Sequence, residues 1–99
     1  MTRVYIGRDH LRITGHSGYG PEGQDIVCAA VSTLSQSLGQ ALLDMGVKTD
    51  RIKFSPGEAE IRFQPDEKTD GAMAVIRAGF RFLAAAYPSY VCITKEGDF

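Results

Sequence analysis

The chain has 99 residues, enough for one domain and too few for a catalytic domain plus a separate binding domain. Eleven basic and twelve acidic side chains leave a formal charge of −1, which favours neither nucleic acid nor an anionic membrane. Cys28 and Cys92 are too few for a disulfide framework, the opening Met-Thr-Arg-Val-Tyr-Ile-Gly lacks a signal-peptide run, and every apolar window is expected to fall far short of the ~20 residues of a membrane span. Thr2 to Arg8 alternates, with Val4 and Ile6 on one side and Arg3 and Tyr5 on the other. His10 to His16 repeats the pattern through Leu11 and Ile13, and the short interval predicts a hairpin. A glycine-rich loop, Ser17 to Gly23, follows.

From Asp25 the period becomes helical. Val27, Ala30, Val31, Leu34, Leu38, Ala41, Leu42 and Met45 form one apolar stripe, and Cys28, Ser32, Ser35 and Gly39 a second face that tolerates close approach. Asp25 suits the N-cap and Gly46 the left-handed position after the last turn. Arg51 to Phe54 and Glu60 to Phe63 alternate again around a Pro56-Gly57 turn, which fits type II geometry. A second helix, capped by Thr69 or Asp70, runs to Tyr87 with Ala72, Ile76, Phe80 and Leu83 buried, and Pro88 stops it. Tyr90 to Thr94 completes a ββαββαβ order. The expected fold is α/β (α+β), a mixed β-sheet packed against two helices, as a single domain over residues 1–99.

The chemistry concentrates where the second strand, the glycine loop and the first helix meet. His16 ends the strand, and Cys28 lies in the first turn of the helix, where unpaired backbone N–H groups favour a thiolate. An imidazole within about 3–3.5 Å completes an activated nucleophile pair. The same first-turn N–H groups would face an oxyanion forming on an attacked carbonyl. A buried structural thiol is the commoner role for a lone helical cysteine, and Cys92, without a nearby histidine, is read as structural. Asp25 could orient His16, cap the helix, or do both. His10, His16, Cys28 and Cys92 lack metal-ligand spacing, so no metal and no cofactor are expected. The loop matches neither a dinucleotide fingerprint nor a phosphate loop. The bases Arg51, Lys53 and Arg62 share one sheet face with acids that cancel them, so no direct nucleic-acid binding is expected.

Gly15-His16, the glycine loop and the run Asp25-Ile26-Val27-Cys28-Ala29-Ala30-Val31-Ser32 resemble the signature of the ribosomal-processing cysteine protease Prp family, and the likeness extends over nearly the whole chain. The resemblance implies a cytoplasmic, homodimeric, metal-free cysteine endopeptidase. Its substrate would be a ribosomal protein precursor, the large-subunit protein L twenty-seven, cut after paired phenylalanines to remove an N-terminal extension. Carried over by position, Cys28 is the nucleophile, His16 the base, and Asp25 and Ser32 supporting groups. Gly15, Gly18, Tyr19, Gly20 and Gly23 would belong to the substrate loop, a mobile cover with Tyr19 placed to pack on an apolar substrate side chain. Ser17, where alanine is frequent, and Ser89, where an acid often stands, depart from the family pattern and are expected to lie off the dyad. The alternative reading is a non-enzymatic ribosome-assembly or protein-interaction module.

Overall fold

The computed structural model describes residues 1–97. Strand alternation sets the sheet. β1 (Thr2–Gly7) buries Val4 and Ile6 and pairs antiparallel with β2 (His10–Thr14), which buries Leu11 and Ile13. β2 ends two residues before His16, so the histidine stands on the loop rather than in the strand. β3 (Thr49–Ser55) and β4 (Glu58–Phe63) form the second hairpin, and β4 joins β2 antiparallel. β5 (Val91–Glu96) runs parallel to β1, giving a five-stranded mixed sheet in the order β3-β4-β2-β1-β5.

Two helices cover the face that carries Val4, Ile6, Leu11, Ile13, Ile61 and Phe63. α1 (Ile26–Asp44) starts on Asp25, as its sequence implies, and buries Val27, Val31, Leu38 and Leu42. Gly46 (φ +68°) closes it, with its own N–H on the Leu43 carbonyl and that of Val47 on Leu42. The small face of α1 is used as expected at Gly39, where an added Cβ would come within 3.2 Å of the Phe54 ring of β3. By length and composition α1 could cross a membrane, which corrects the expectation that no window comes close. Alanine, serine and glycine between the stripe residues keep its polarity low without charge. α2 (Glu67–Ala86) starts on Asp66, not on Thr69 or Asp70. Thr69 is the reciprocal partner three residues on: its N–H donates to Asp66, while its hydroxyl accepts from the Asp66 N–H. Asp70 instead takes the Arg8 guanidinium at 2.8 Å.

The other sheet face is open. Arg3, Tyr5, Arg12, Arg51, Lys53 and Arg62 share it with Glu58 and Glu60; Arg51 pairs with Glu60, and Arg12 stacks over Tyr5. Cys92 is exposed there beside Arg3, so it is a surface thiol and has no place in the core.

Candidate active site

Cys28 is the third helical residue of α1 and is half-buried. Asp25 organises everything around it. One carboxylate oxygen accepts the N–H groups of Val27 (3.0 Å) and Cys28 (2.9 Å). The other accepts the Ser17 hydroxyl (2.6 Å) and the N–H groups of Tyr19 (3.1 Å) and Gly20 (3.2 Å). Burial works against this charge, but the hydrogen bonds from the Ser17 hydroxyl and the Cys28 and Gly20 N–H groups outweigh it and hold the carboxyl well below the usual carboxylate range. This corrects the expected oxyanion site: the Val27 and Cys28 N–H groups are already taken. Asp25 caps the helix and ties down the loop, and among the described residues none of its hydrogen bonds reaches His16.

Ser17 does touch Cys28, contrary to its expected position away from Cys28 and His16. It is 2% exposed; its N–H donates to Cys28 Sγ at 3.4 Å, and its Oγ lies 3.5 Å from the same sulfur. The signal for this residue was its direct adjacency to His16 together with a side chain able to reach Asp25, but spacing alone could not bury it.

His16 rests on the β3–β4 turn. A Cβ added to Gly57 would fall 2.7 Å from His16 Nε2, and Gly57 also has φ +70°, so this glycine is required both by the turn and by the imidazole. The Gly15 N–H donates to the Gly57 carbonyl at 2.8 Å and fixes the approach of the two segments. No hydrogen bond joins His16 to Cys28 among the described residues. They meet across a groove instead.

Two adjoining cavities, of about 410 and 460 Å³, share His16, Glu22, Cys28, Ser32 and Pro56. The first continues between α1 and the β3–β4 hairpin over Ile13, Val31, Phe54 and Ala59. The second runs under Gly18, Gly20 and Gly23 beside Asp25 and Ala29. A sulfur between two compartments suits an extended chain lying on both sides of the reacting bond. Ser32, one turn beyond Cys28, lines both. Gly15 lines only the first. Tyr19 lines neither: it packs edge-on against Tyr87 (5.4 Å) and Tyr90 (5.1 Å), and these aromatic contacts turn it away from the place expected for a substrate side chain.

A small α/β domain with a cysteine in the first turn of a helix, beside a histidine across a peptide-sized groove, is of the cysteine-peptidase class. The family described as Cysteine protease Prp matches residues 1–92, and the chain belongs to that family. The chain is 29% identical, over 97% of both sequences, to the ribosomal processing cysteine protease Prp of Mycoplasma genitalium. The solved structure of SMU.848 from Streptococcus mutans is 31% identical, with TM-score 0.77 over all of this chain and 96% of that one. The essential ribosomal processing protease Prp of S. aureus, solved with a covalently linked product peptide, has the same fold: TM-score 0.86 over 97% and 99% of the two chains, at 19% identity. Membership in a protease family sets aside the non-enzymatic alternative.

Proposed function

We propose that this chain is an endopeptidase that removes the N-terminal extension of the large-subunit ribosomal protein L twenty-seven, with Cys28 as nucleophile and His16 as base. The observation that carries the reading is the pair of adjoining cavities that Cys28 and His16 both line. His16 takes the thiol proton, the sulfur attacks the scissile carbonyl, and the imidazolium returns the proton to the leaving amine. Water then hydrolyses the thioester. Ile13, Val31, Phe54 and Ala59 give the first cavity an apolar wall able to receive an aromatic side chain, in keeping with cleavage after paired phenylalanines. A product peptide linked covalently in the S. aureus relative supports the same course. We read the protein as cytoplasmic and as a homodimer. The exposed apolar row Gly71, Val75, Ala78 and Phe82 on α2 supports a second copy as partner.

Cleavage of a precursor peptide containing Phe-Phe tests the reading. Cys28→Ala and His16→Ala should each abolish it with the fold unchanged, since neither side chain belongs to the core. Turnover by Cys28→Ala near the wild-type rate would overturn it.

A further inference from the structure

The Ser17 hydroxyl sits between Cys28 and Asp25, and the direction of its proton can be deduced. A hydroxyl has one hydrogen to give and two lone pairs to receive with. Asp25 takes five donors on its two oxygens and is ionised, so it only accepts. The 2.6 Å contact therefore carries the Ser17 proton toward Asp25. Both lone pairs of Oγ are left as acceptors, one for the Tyr19 N–H at 3.2 Å and one facing Cys28 Sγ at 3.5 Å. A neutral thiol can donate to that lone pair. A thiolate meets an oxygen with no proton to offer, with a carboxylate behind it. The Ser17 N–H, at 3.4 Å from the sulfur, donates to sulfur in either form and keeps it in place.

We propose that the Ser17 hydroxyl is a positioning residue that holds Cys28 as a neutral thiol in the resting protein, turned toward Asp25, so that His16 receives the proton only when the S–H···Oγ bond is given up. This accounts for the missing hydrogen bond between His16 and Cys28. It rests on Cys28 being the nucleophile, and in the step itself the S–H bond breaks, the proton passes to a ring nitrogen of His16 and the electron pair stays on sulfur. The other ionisable groups lining the two cavities are His16 beyond the end of β2, Glu22 in the loop, Asp25 before α1 and, in the first cavity, Glu58 at the start of β4. All four remain when Ser17 is replaced, and Asp25, which loses the Ser17 hydroxyl but keeps the N–H groups of Tyr19, Gly20, Val27 and Cys28, stays a carboxylate beside the Cys28 side chain.

The test uses the whole chain with Cys92→Ser, which leaves one thiol. Alkylation by iodoacetamide and the ultraviolet absorbance of the thiolate are followed across pH. Ser17→Ala keeps the backbone N–H and should alkylate roughly fivefold faster at neutral pH, the scale of one modest hydrogen bond. The thiolate absorbance should rise with it. Ser17→Thr, which restores the hydroxyl, should match the parent. Alkylation no faster in Ser17→Ala overturns the proposal. So does faster alkylation without added thiolate absorbance, which would mean a loosened loop, and so does a Ser17→Thr protein that behaves like Ser17→Ala. Cleavage of the Phe-Phe peptide is measured alongside. A parent chain that cleaves nothing while the Ser17→Ala thiolate still increases would remove the Phe-Phe substrate reading and leave the placement of the Cys28 proton standing.

Discussion

Replacing Gly57 by alanine separates what the β3–β4 turn does for the fold from what it does for His16. Two costs come with the new methyl group. The backbone there has φ +70°, and a non-glycine residue in that region loses roughly 1–2 kcal/mol. The Cβ would also lie 2.7 Å from His16 Nε2 and 3.0 Å from Cδ2, closer than van der Waals contact allows. The histidine side chain is exposed, so the ring moves rather than the strand. Stability should therefore fall by only about 1–2 kcal/mol in urea denaturation. Turnover should fall far more, because a displacement of about 1 Å in a reacting group can cost ~100-fold. Gly46→Ala is the control. It carries the same backbone strain, at φ +68°, but its Cβ would meet nothing within 4 Å. The two variants should lose similar stability, and only Gly57→Ala should lose kcat/KM on the Phe-Phe peptide. Equal turnover in both would refute the idea that this turn sets the position of the imidazole.

Two further outcomes follow, one from Asp25 and one from the exposed face of α2. Asp25→Ala removes a helix cap worth about 1 kcal/mol and leaves the buried Ser17 hydroxyl without its acceptor, worth a further ~1–3 kcal/mol. Since folding depresses the Asp25 pKa, its contribution is complete above the unfolded value near pH 4 and is lost as pH falls toward the lower native value. Acid melts of the wild type should thus be steeper below about pH 4 than those of Asp25→Asn, and parallel acid curves would contradict the assignment. Phe82 is 71% exposed on α2, and Phe82→Glu should convert the proposed dimer to monomer in sedimentation without loss of fold. An unchanged mass would remove α2 as the interface.

The periodicities that set the fold were plain in the sequence. Val4 and Ile6, Leu11 and Ile13, and Ile61 and Phe63 alternate strictly, because each strand has one buried face and one open face. The Asp25 cap was legible because a carboxylate directly before an apolar stripe has few better uses. The start of α2 was not. Asp66 and Thr69 are both good caps, and only the buried Thr69 hydroxyl, turned back to the Asp66 N–H, decides between them. The contact of His16 with Gly57 was hidden for a different reason. It joins segments 41 positions apart through the sheet order β3-β4-β2, and nothing local in Pro56-Gly57 distinguishes a floor for an imidazole from a plain turn. Tyr19 was misplaced because a tyrosine between two glycines reads as free, whereas Tyr87 and Tyr90 hold it from the far end of α2.

The site's electrostatics follow from how Asp25 divides its two oxygens. A helix N-terminus favours negative charge through its unpaired N–H groups, and that was the sequence-level argument for an activated Cys28. Here the cap has already used the second and third of those donors, and it has placed a full negative charge within the same turn. The helix end alone is therefore a weak source of activation. What remains next to the sulfur is the Ser17 N–H at 3.4 Å, and across the groove the His16 imidazole on Gly57. Both are carried by the single segment that leaves β2, and Gly15 bonds that segment to the β3–β4 turn. In the proposed reaction the helix supplies the nucleophile's position, while its proton acceptor and nearest backbone donor come from the sheet side. The machinery thus closes across the interface between α1 and the sheet, where Val27 and Val31 of the helix and Ile13 of β2 belong to one buried core.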